Sequence, residues 1–146
     1  MRAIEGGADA IQLVYNILQP ETGDAIFPLA LEKGVGIIVR VPLASGWLTG
    51  KYDAQTVFPP DDHRSSRYTP ERVRETAARV AQLSFLLEEA DSMAEAALRF
   101  ALAHPAVSTV IPGGKTPAQV VANVKASGKP LSEAAMKRIR ELFGKR

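Results

Sequence analysis

The stretch GVGIIVRVPLASGWLTGKY, residues 34–52, decides the fold class of this chain. Its first part, residues 36–41, is a short apolar run that is bounded by glycine on one side and by Pro42 on the other, which predicts a buried β-strand. The residues that follow, 42–69, carry Gly, Pro, Ser, Asp and scattered aromatics without a helical or strand period. A loop of this length inside a compact domain is usually functional or disordered.

Similar signals on both sides of this stretch complete the fold. The runs ADAIQLVYN (8–16) and VSTVI (107–111) predict two more buried strands. A helix is predicted between the first two strands, with Asp24 as a possible N-cap, Pro28 near its first turn and Gly34 as its C-cap. The alternation of strands and helices predicts an α/β fold with parallel strands and crossover helices.

Four further helix starts follow the long loop. Thr69-Pro70-Glu71 is an N-cap, a proline at the first helical position and an early acid, and this helix is predicted to run to about Ala90. A second helix is predicted from about Ser92 to His104. Thr116-Pro117 opens the next, which ends near Gly128, and Ser132-Glu133 opens the last.

The composition excludes several classes of protein. The chain has 146 residues, a net charge of +2 and no cysteine, which excludes disulfide scaffolds, thiolate catalysis and iron–sulfur clusters. The charge is too mild to predict nucleic-acid binding. The sequence contains neither the ~18 apolar residues of a membrane span nor the apolar core of a signal peptide. We therefore expect one domain, residues 1–146, in the cytoplasm, without a nucleic-acid or membrane partner.

Ligands of parallel sheets bind at the carboxyl ends of the strands, so we expect the chemistry in residues 42–69 and 112–123. The turn IPGGKT (111–116) leads into a helix N-terminus, where free N–H groups and the charge of Lys115 favour an anion. Gln119 and Asn123 lie four residues apart on one helix face beside that turn. Taken alone, a tight turn with a solvated lysine is the favoured interpretation.

Two polar residues interrupt the apolar strands. Arg40 comes one residue before the predicted end of its strand, so its guanidinium should reach the mouth of the sheet. It could stack on a planar ring, pair with a phosphate or form a structural ion pair. Gln12 requires a hydrogen-bond partner if it is buried, either within the core or on an amide-bearing ligand.

The segment PDDHR (60–64) has the residue types of a metal site but no recognised ligand spacing, so a solvated or ion-paired loop is the favoured interpretation and no metal is expected. His104, at a predicted helix end, is expected to be a cap or a surface residue. No pairing supports a Ser/His/Asp triad.

The segments QLVYN (12–16), GVGIIVRVPLASGWLTGKY (34–52), FPPDDHR (58–64) and ALRFALAHPAVSTVIPGGKTPAQVVANV (97–124) resemble, in order and spacing, the C-terminal half of an aldo-keto reductase. That family folds as a (β/α)8 barrel of the TIM type and reduces carbonyls with NADPH. The resemblance implies that the strands here are the sixth, seventh and eighth of the barrel, which is incomplete in this chain.

The resemblance also implies cofactor-binding roles. Gln12 would bind the nicotinamide carboxamide, and Arg40 stands where many members carry an aromatic that stacks on the nicotinamide. The segment that wraps the pyrophosphate would be Leu43, Ser45, Gly46, Leu48 and Lys51. The segment that holds the 2′-phosphate and adenine would be Gly113, Lys115, Gln119 and Asn123. Some members have arginine where Gln119 stands, so NADP(H) is expected as the cofactor and NAD(H) stays open.

The family's catalytic Asp, Tyr, Lys and His would lie upstream of this chain, and a full barrel needs about 250 residues. We therefore expect the cofactor-binding half of an NADP(H)-dependent reductase, which has no catalytic residue of its own and is inactive alone. Its partners would be a nicotinamide dinucleotide and the missing N-terminal half or a second copy. The alternative is a non-enzymatic half-barrel that binds nucleotides or dimerises.

Overall fold

In the computed structural model, which describes residues 1–144, three parallel strands form one sheet. The strands are β1 (Ala10–Val14), β2 (Gly36–Arg40) and β3 (Val107–Ile111), in the spatial order β1-β2-β3. The α/β class and the parallel strands are thus confirmed. The predicted domain extends to residue 146, and its last two residues lie outside the described part.

The two faces of the sheet differ in burial. Ile37 and Val39 are fully buried against the helices, whereas Ala10 and Gln12 are exposed. The register places the side chains of the open face in two layers, Gln12–Ile38–Thr109 and Val14–Arg40–Ile111. The prediction of fully buried strands is therefore wrong for this face, because no element in residues 1–144 covers it.

Six α-helices surround the sheet or follow it. They are α1 (Arg2–Glu5), α2 (Glu21–Lys33), α3 (Pro70–Ala81), α4 (Met93–Leu102), α5 (Pro117–Val124) and α6 (Glu133–Phe143). The hydroxyls of Thr69, Ser92, Thr116 and Ser132 each accept a hydrogen bond from the backbone N–H three residues later, which confirms the predicted helix starts. The four-residue helix α1 was not predicted. No helix in residues 1–144 is both long and apolar enough to cross a bilayer.

The boundaries of α2 and α3 correct the predictions. Helix α2 begins at Glu21, so Asp24 lies in its first turn and is not its N-cap, and Pro28 lies in its interior. Its predicted C-cap, Gly34, is confirmed in the left-handed conformation with φ of 66°. Helix α3 ends at Ala81, well before Ala90, and a short 3-10 helix, Ser84–Glu88, follows.

The long loop after β2 is ordered and packed. It contains two short 3-10 turns within Ala44–Thr49, and the side chains of Trp47 and Leu48 are fully buried. Tyr52, Phe58 and Tyr68 surround the indole of Trp47 with ring centroids 5.4–6.2 Å away. This aromatic cluster fixes the loop at the carboxyl end of the sheet.

Candidate functional site

A cleft of about 620 Å³ opens at the carboxyl end of the sheet, between the loop after β2 and the turn after β3. One wall, which we call the loop wall, is the segment 41–51 together with His63 and Arg64. The other, the turn wall, is the segment 111–115 together with the first turns of α5. The side chains or backbone that line the cleft include Leu43, Ser45, Gly46, Thr49, Lys51, His63, Arg64, Gly113, Gly114, Lys115, Gln119 and Asn123.

Eight of the predicted cofactor-binding residues line this cleft: Leu43, Ser45, Gly46, Lys51, Gly113, Lys115, Gln119 and Asn123. They come from two segments that are more than sixty residues apart in sequence. The two segments meet because β2 and β3 are parallel neighbours whose carboxyl ends lie at the same edge of the sheet.

The other three predicted residues lie elsewhere. Leu48 is fully buried under the loop, and its backbone N–H donates to the carbonyl of Leu43 at 3.2 Å, so this residue offers the cleft neither a side chain nor a free amide. Gln12 is exposed on the open face of the sheet. Arg40 ends β2 and lines a second cavity on the other side of the loop.

The backbone of the loop wall is strained. Val41, Ala44 and Ser45 have φ of 54°, 48° and 58°, in the left-handed region that non-glycine residues rarely adopt. Such conformations persist only where the surroundings hold them, and they concentrate at functional sites. Gly46 has φ of 95°, and a Cβ at this position would lie 3.1 Å from the ring of Tyr52. The conformation therefore favours glycine there, and a side chain would also press on the ring of Tyr52.

A buried asparagine holds the start of the strained segment. The Nδ2 of Asn16 donates to the carbonyl of Val41 at 3.0 Å, and its Oδ1 accepts from the backbone N–H of Leu18 at 3.0 Å. Asn16 is fully buried, and these bonds offset the free-energy cost of burying its amide group. The end of β1 is thus tied to the end of β2.

Arg64 is the residue that sequence reasoning missed. Its guanidinium donates to the Asp62 carboxylate at 2.5 and 2.8 Å, to the carbonyl of Ser45 at 3.2 Å and to the hydroxyl of Tyr52 at 2.5 Å. It also lies 4.6 Å above the ring of Phe58. The segment 60–64 is therefore an ion-paired loop, as expected, and this ion pair clamps the cleft wall. The signal in the sequence was the arginine two residues after Asp62.

The clamp also fixes the charge of Asp62. Hydrogen bonds from the Arg64 side chain and backbone hold the pKa of this carboxyl well below its usual range. Since the Asp62 side chain is only 19% exposed, the pair is a built part of the wall rather than a mobile surface contact.

The turn wall is held by hydrogen bonds within the turn and α5. The Oε1 of Gln119 accepts from the backbone N–H of Lys115 at 2.7 Å, and the Nδ2 of Asn123 lies 3.4 Å from the carbonyl of Gly113, to which it donates. Thr116 caps the helix through the N–H of Gln119 at 3.2 Å. Gln119 and Asn123 thus lie on one face of α5, as predicted, and both side chains bond to the backbone of the glycine turn.

The cleft is positively charged. Lys51 lies on the loop wall and Lys115 on the turn wall, and no acidic side chain in residues 1–144 lies within ion-pair distance of either. The Nζ of Lys51 lies 5.1 Å from the ring centre of Tyr52. Two cations on opposite walls, one of them next to the N-terminus of α5, favour an extended ligand that carries more than one negative charge.

Tyr15 and His104 have structural surroundings. Burial raises the pKa of Tyr15 to about 12, with a further contribution from Asp24, and its ring packs against Phe27 and Phe100. His104 accepts from the backbone N–H of Ala106 at 3.1 Å, and burial lowers its pKa. No cluster of three metal-ligating side chains occurs in residues 1–144.

Comparison with known proteins decides the family. Residues 4–143 match the sequence model of the Aldo/keto reductase family. The chain belongs to the aldo/keto reductase family. Nicotinamide dinucleotides are the cofactors of this family.

Relatives of this aldo/keto reductase chain include proteins from a plant and a bacterium. It is 33% identical over 140 residues to a probable voltage-gated potassium channel subunit beta of Arabidopsis thaliana, with 83% of this chain and 41% of the relative covered. It is 26% identical over 137 residues to the aldo-keto reductase YhdN of Bacillus subtilis, with 91% and 41% covered. The chain thus spans about 41% of the length of these relatives.

Solved structures of the family share the fold. The glycerol dehydrogenase AKR11B4 from Gluconobacter oxydans superposes with a TM-score of 0.80 at 25% identity, over 91% of this chain and 41% of that one. The holo form of the aldo-keto reductase AKR11C1 from Bacillus halodurans superposes with a TM-score of 0.66 at 28% identity, over 97% and 45%.

Proposed function

We propose that this chain is the dinucleotide-binding part of an NADP(H)-dependent aldo-keto reductase, corresponding to the sixth to eighth strands of the barrel and forming a single partial domain. The observation that carries the proposal is the cleft, which brings eight predicted cofactor-binding residues from two distant segments together. Its charge, its volume and its place at the carboxyl ends of parallel strands suit a dinucleotide. A cytoplasmic location stays a prediction.

The two walls would bind different parts of the cofactor. On the loop wall, Lys51 and the backbone around Ser45 and Gly46 would contact the pyrophosphate. On the turn wall, Lys115 would pair with the 2′-phosphate. Gln119 and Asn123 would hold the adenine, since each already uses one amide atom to order the turn and keeps the other for a ligand. When bound, the cofactor supplies the hydride for carbonyl reduction.

The open face of the sheet offers the place for the nicotinamide. Gln12 and Arg40 lie on the same face, on neighbouring strands and in successive layers. An amide that binds the carboxamide and a planar guanidinium that stacks on the ring are both chemically suited to nicotinamide. The exposure of these two side chains is what such roles require.

The proposal predicts that Lys115 discriminates between the two cofactors. Lys115→Ala should weaken NADPH binding by about 1.5–3 kcal/mol, because a charge-assisted contact to the 2′-phosphate is lost, and should leave NADH binding nearly unchanged. Isothermal titration of wild type and variant with both cofactors measures this. Lys125→Ala, which removes an exposed lysine outside the cleft, is the matched control.

Three results would count against this assignment. Equal losses for NADPH and NADH would show that Lys115 does not bind the 2′-phosphate. A loss of the same size in Lys125→Ala would show a general charge effect. Absence of NADPH binding by the wild type would reject the cleft as a dinucleotide site in this chain.

We further propose that this chain alone does not reduce carbonyls. The resemblance to aldo-keto reductases assigns the family's catalytic Asp, Tyr, Lys and His to no residue of this chain, and Tyr15 is buried in the core, whereas reduction needs a placed proton donor. The assay follows NADPH absorbance with a panel of aldehydes. A saturable rate that depends on the protein would contradict this proposal.

A second candidate function, a half-barrel that associates, is favoured by the open sheet face. Ile111 is 46% exposed there, Val14 and Ile38 are half-buried, and both outer strands have unpaired edges in the described chain. Unpaired edges and apolar faces promote association, either with the rest of a barrel or with a second copy. Sedimentation should show dimers or larger species, and a monomer with sharp cooperative unfolding would contradict it.

A further inference from the structure

A second cavity, of about 630 Å³, lies on the other side of the loop from the cleft. It is bounded by the carboxyl ends of β1 and β2 and by one face of α3. Four arginines line it: Arg40, Arg67, Arg72 and Arg79. We call it the arginine cavity.

The charges of the arginine cavity are uncompensated. Its only acidic lining residue is Glu75, and within residues 1–144 no carboxylate lies within ion-pair distance of the four guanidinium groups. Arg64 and Arg74, outside this cavity, are paired with Asp62 and Glu71. Four like charges around one space repel each other, and a bound anion would relieve that repulsion.

Two of the guanidinium groups are held in place by the fold. The Nη2 of Arg79 donates to the carbonyl of Leu18 at 2.8 Å, and the group lies 5.2 Å from the ring centre of Phe143. The Nη1 of Arg72 donates to the carbonyl of Arg67 at 3.1 Å. Each guanidinium has five N–H donors, so these bonds position the groups and leave further donors for a ligand.

The cavity is separated from the cleft by the strained segment of the loop. Val41 and Ser45 line both spaces, because the cleft lies on one side of their backbone and the arginine cavity on the other. Apart from these two residues, none of the polar or charged side chains of the arginine cavity lines the cleft. Of the four arginines only Arg40 is also assigned to the dinucleotide, so Arg67, Arg72 and Arg79 would serve a ligand of the arginine cavity alone.

We propose that the arginine cavity is an anion-binding site for a small molecule that carries two or more phosphate or carboxylate groups. Guanidinium groups match the geometry of both oxyanions, and four of them suit a polyanion rather than a single charge. The proposal does not depend on the cofactor role of the cleft.

The test uses this chain and two probes, inorganic pyrophosphate for the phosphate class and citrate for the carboxylate class, in isothermal titration. We expect at least one probe to bind at a site that Lys115→Ala, a variant of the cleft, leaves intact. The double variant Arg67→Gln/Arg72→Gln should weaken binding by at least about tenfold, because two charge-assisted contacts are lost. Arg74→Gln, on the same helix but outside the cavity, is the matched control and should bind as the wild type does.

A variant of opposite sign makes the test sharper. Glu75→Gln removes the only negative charge of the cavity lining and should tighten binding severalfold. Absence of binding of both probes, or equal losses in Arg74→Gln and in the double variant, would overturn the proposal. A loss of binding in Lys115→Ala, a variant of the cleft, as large as in the double variant would also overturn it, because the probe would then occupy the dinucleotide site.

Discussion

The two walls of the cleft are built in different ways. The loop wall rests on the fully buried Trp47 and Leu48, an aromatic cluster and the Arg64 clamp. The turn wall leads into α5, which has no buried residue and exposes Val121 and Val124 by 62% and 66%. One wall is fixed by packing over many residues, whereas the other is fixed by a few local hydrogen bonds.

The difference shows that one wall of a binding site can be rigid while the other adjusts to the ligand. The strained backbone of Ala44 and Ser45 needs a packed support, because left-handed conformations of non-glycine residues are unfavourable on their own. The glycine turn needs no such support and can adjust to a ligand. We therefore expect the loop wall to be preformed and the turn wall to be ordered further when a ligand binds.

The largest predicted effect concerns the packing of the two walls. Trp47→Ala should lower the free energy of unfolding by about 3–5 kcal/mol, because it empties the centre of the aromatic cluster. Val121→Ala on the turn wall should change it by less than about 0.5 kcal/mol, because the side chain is exposed. Urea unfolding followed by circular dichroism measures both.

The variant Trp47→Phe is the control for the first of these. The indole Nε1 is buried without a hydrogen-bond partner in the described chain, so phenylalanine removes an unsatisfied donor while it keeps an aromatic ring. Trp47→Phe should lower the free energy of unfolding by less than Trp47→Ala does. Comparable losses for Trp47→Ala and Val121→Ala would refute the contrast between the walls.

A smaller effect is expected at the clamp. Arg64→Gln should lower the free energy of unfolding by about 2–3 kcal/mol, because it removes charge-assisted hydrogen bonds in a side chain that is only 18% exposed. Arg67→Gln, three residues further on and exposed, should have almost no effect and is the matched control. If the two variants lose the same stability, the clamp does not support the loop wall.

The smallest effect is the acid dependence of the same clamp. The pKa of Asp62 is lowered in the folded state, so its stabilising contribution is complete above the unfolded value of about 4 and is lost as the pH falls through the folded value. The stability difference between wild type and Asp62→Asn should therefore be constant from pH 7 to 5 and shrink below pH 4. Fluorescence of Trp47, the only tryptophan, follows the unfolding. A difference that grows on acidification would contradict the lowered pKa.

The sequence was sufficient for features that depend on local signals. The three strands and the four hydroxyl N-caps follow from short apolar runs and from Ser or Thr before a helix, and the parallel order of the strands predicts the edge of the sheet at which the cleft lies. The end of α3 at Ala81 was not predictable in this way. Leu83 and Leu86 are both fully buried at a spacing of three, which suits the 3-10 turn found there and also fits a continuing helix.

Prediction of the site from the sequence was also limited to local signals. Lys51 and Lys115 line the same cleft because β2 and β3 are parallel neighbours, and the sequence indicated this parallel order. The role of Arg64 depends on contacts with Ser45, Tyr52 and Phe58, which lie 6 to 19 residues away in a loop without a period. The burial of Leu48 was likewise hidden, because a loop motif does not indicate which of its residues point into the core.

The central claim is that both walls of the cleft bind one dinucleotide. Hydrogen exchange of this chain with and without NADPH tests it most directly. We predict that NADPH slows exchange in residues 43–51 and 113–123 together, with the larger change on the turn wall, which begins less protected. Protection of neither segment, or protection confined to residues 67–79 beside the arginine cavity, would contradict the claim.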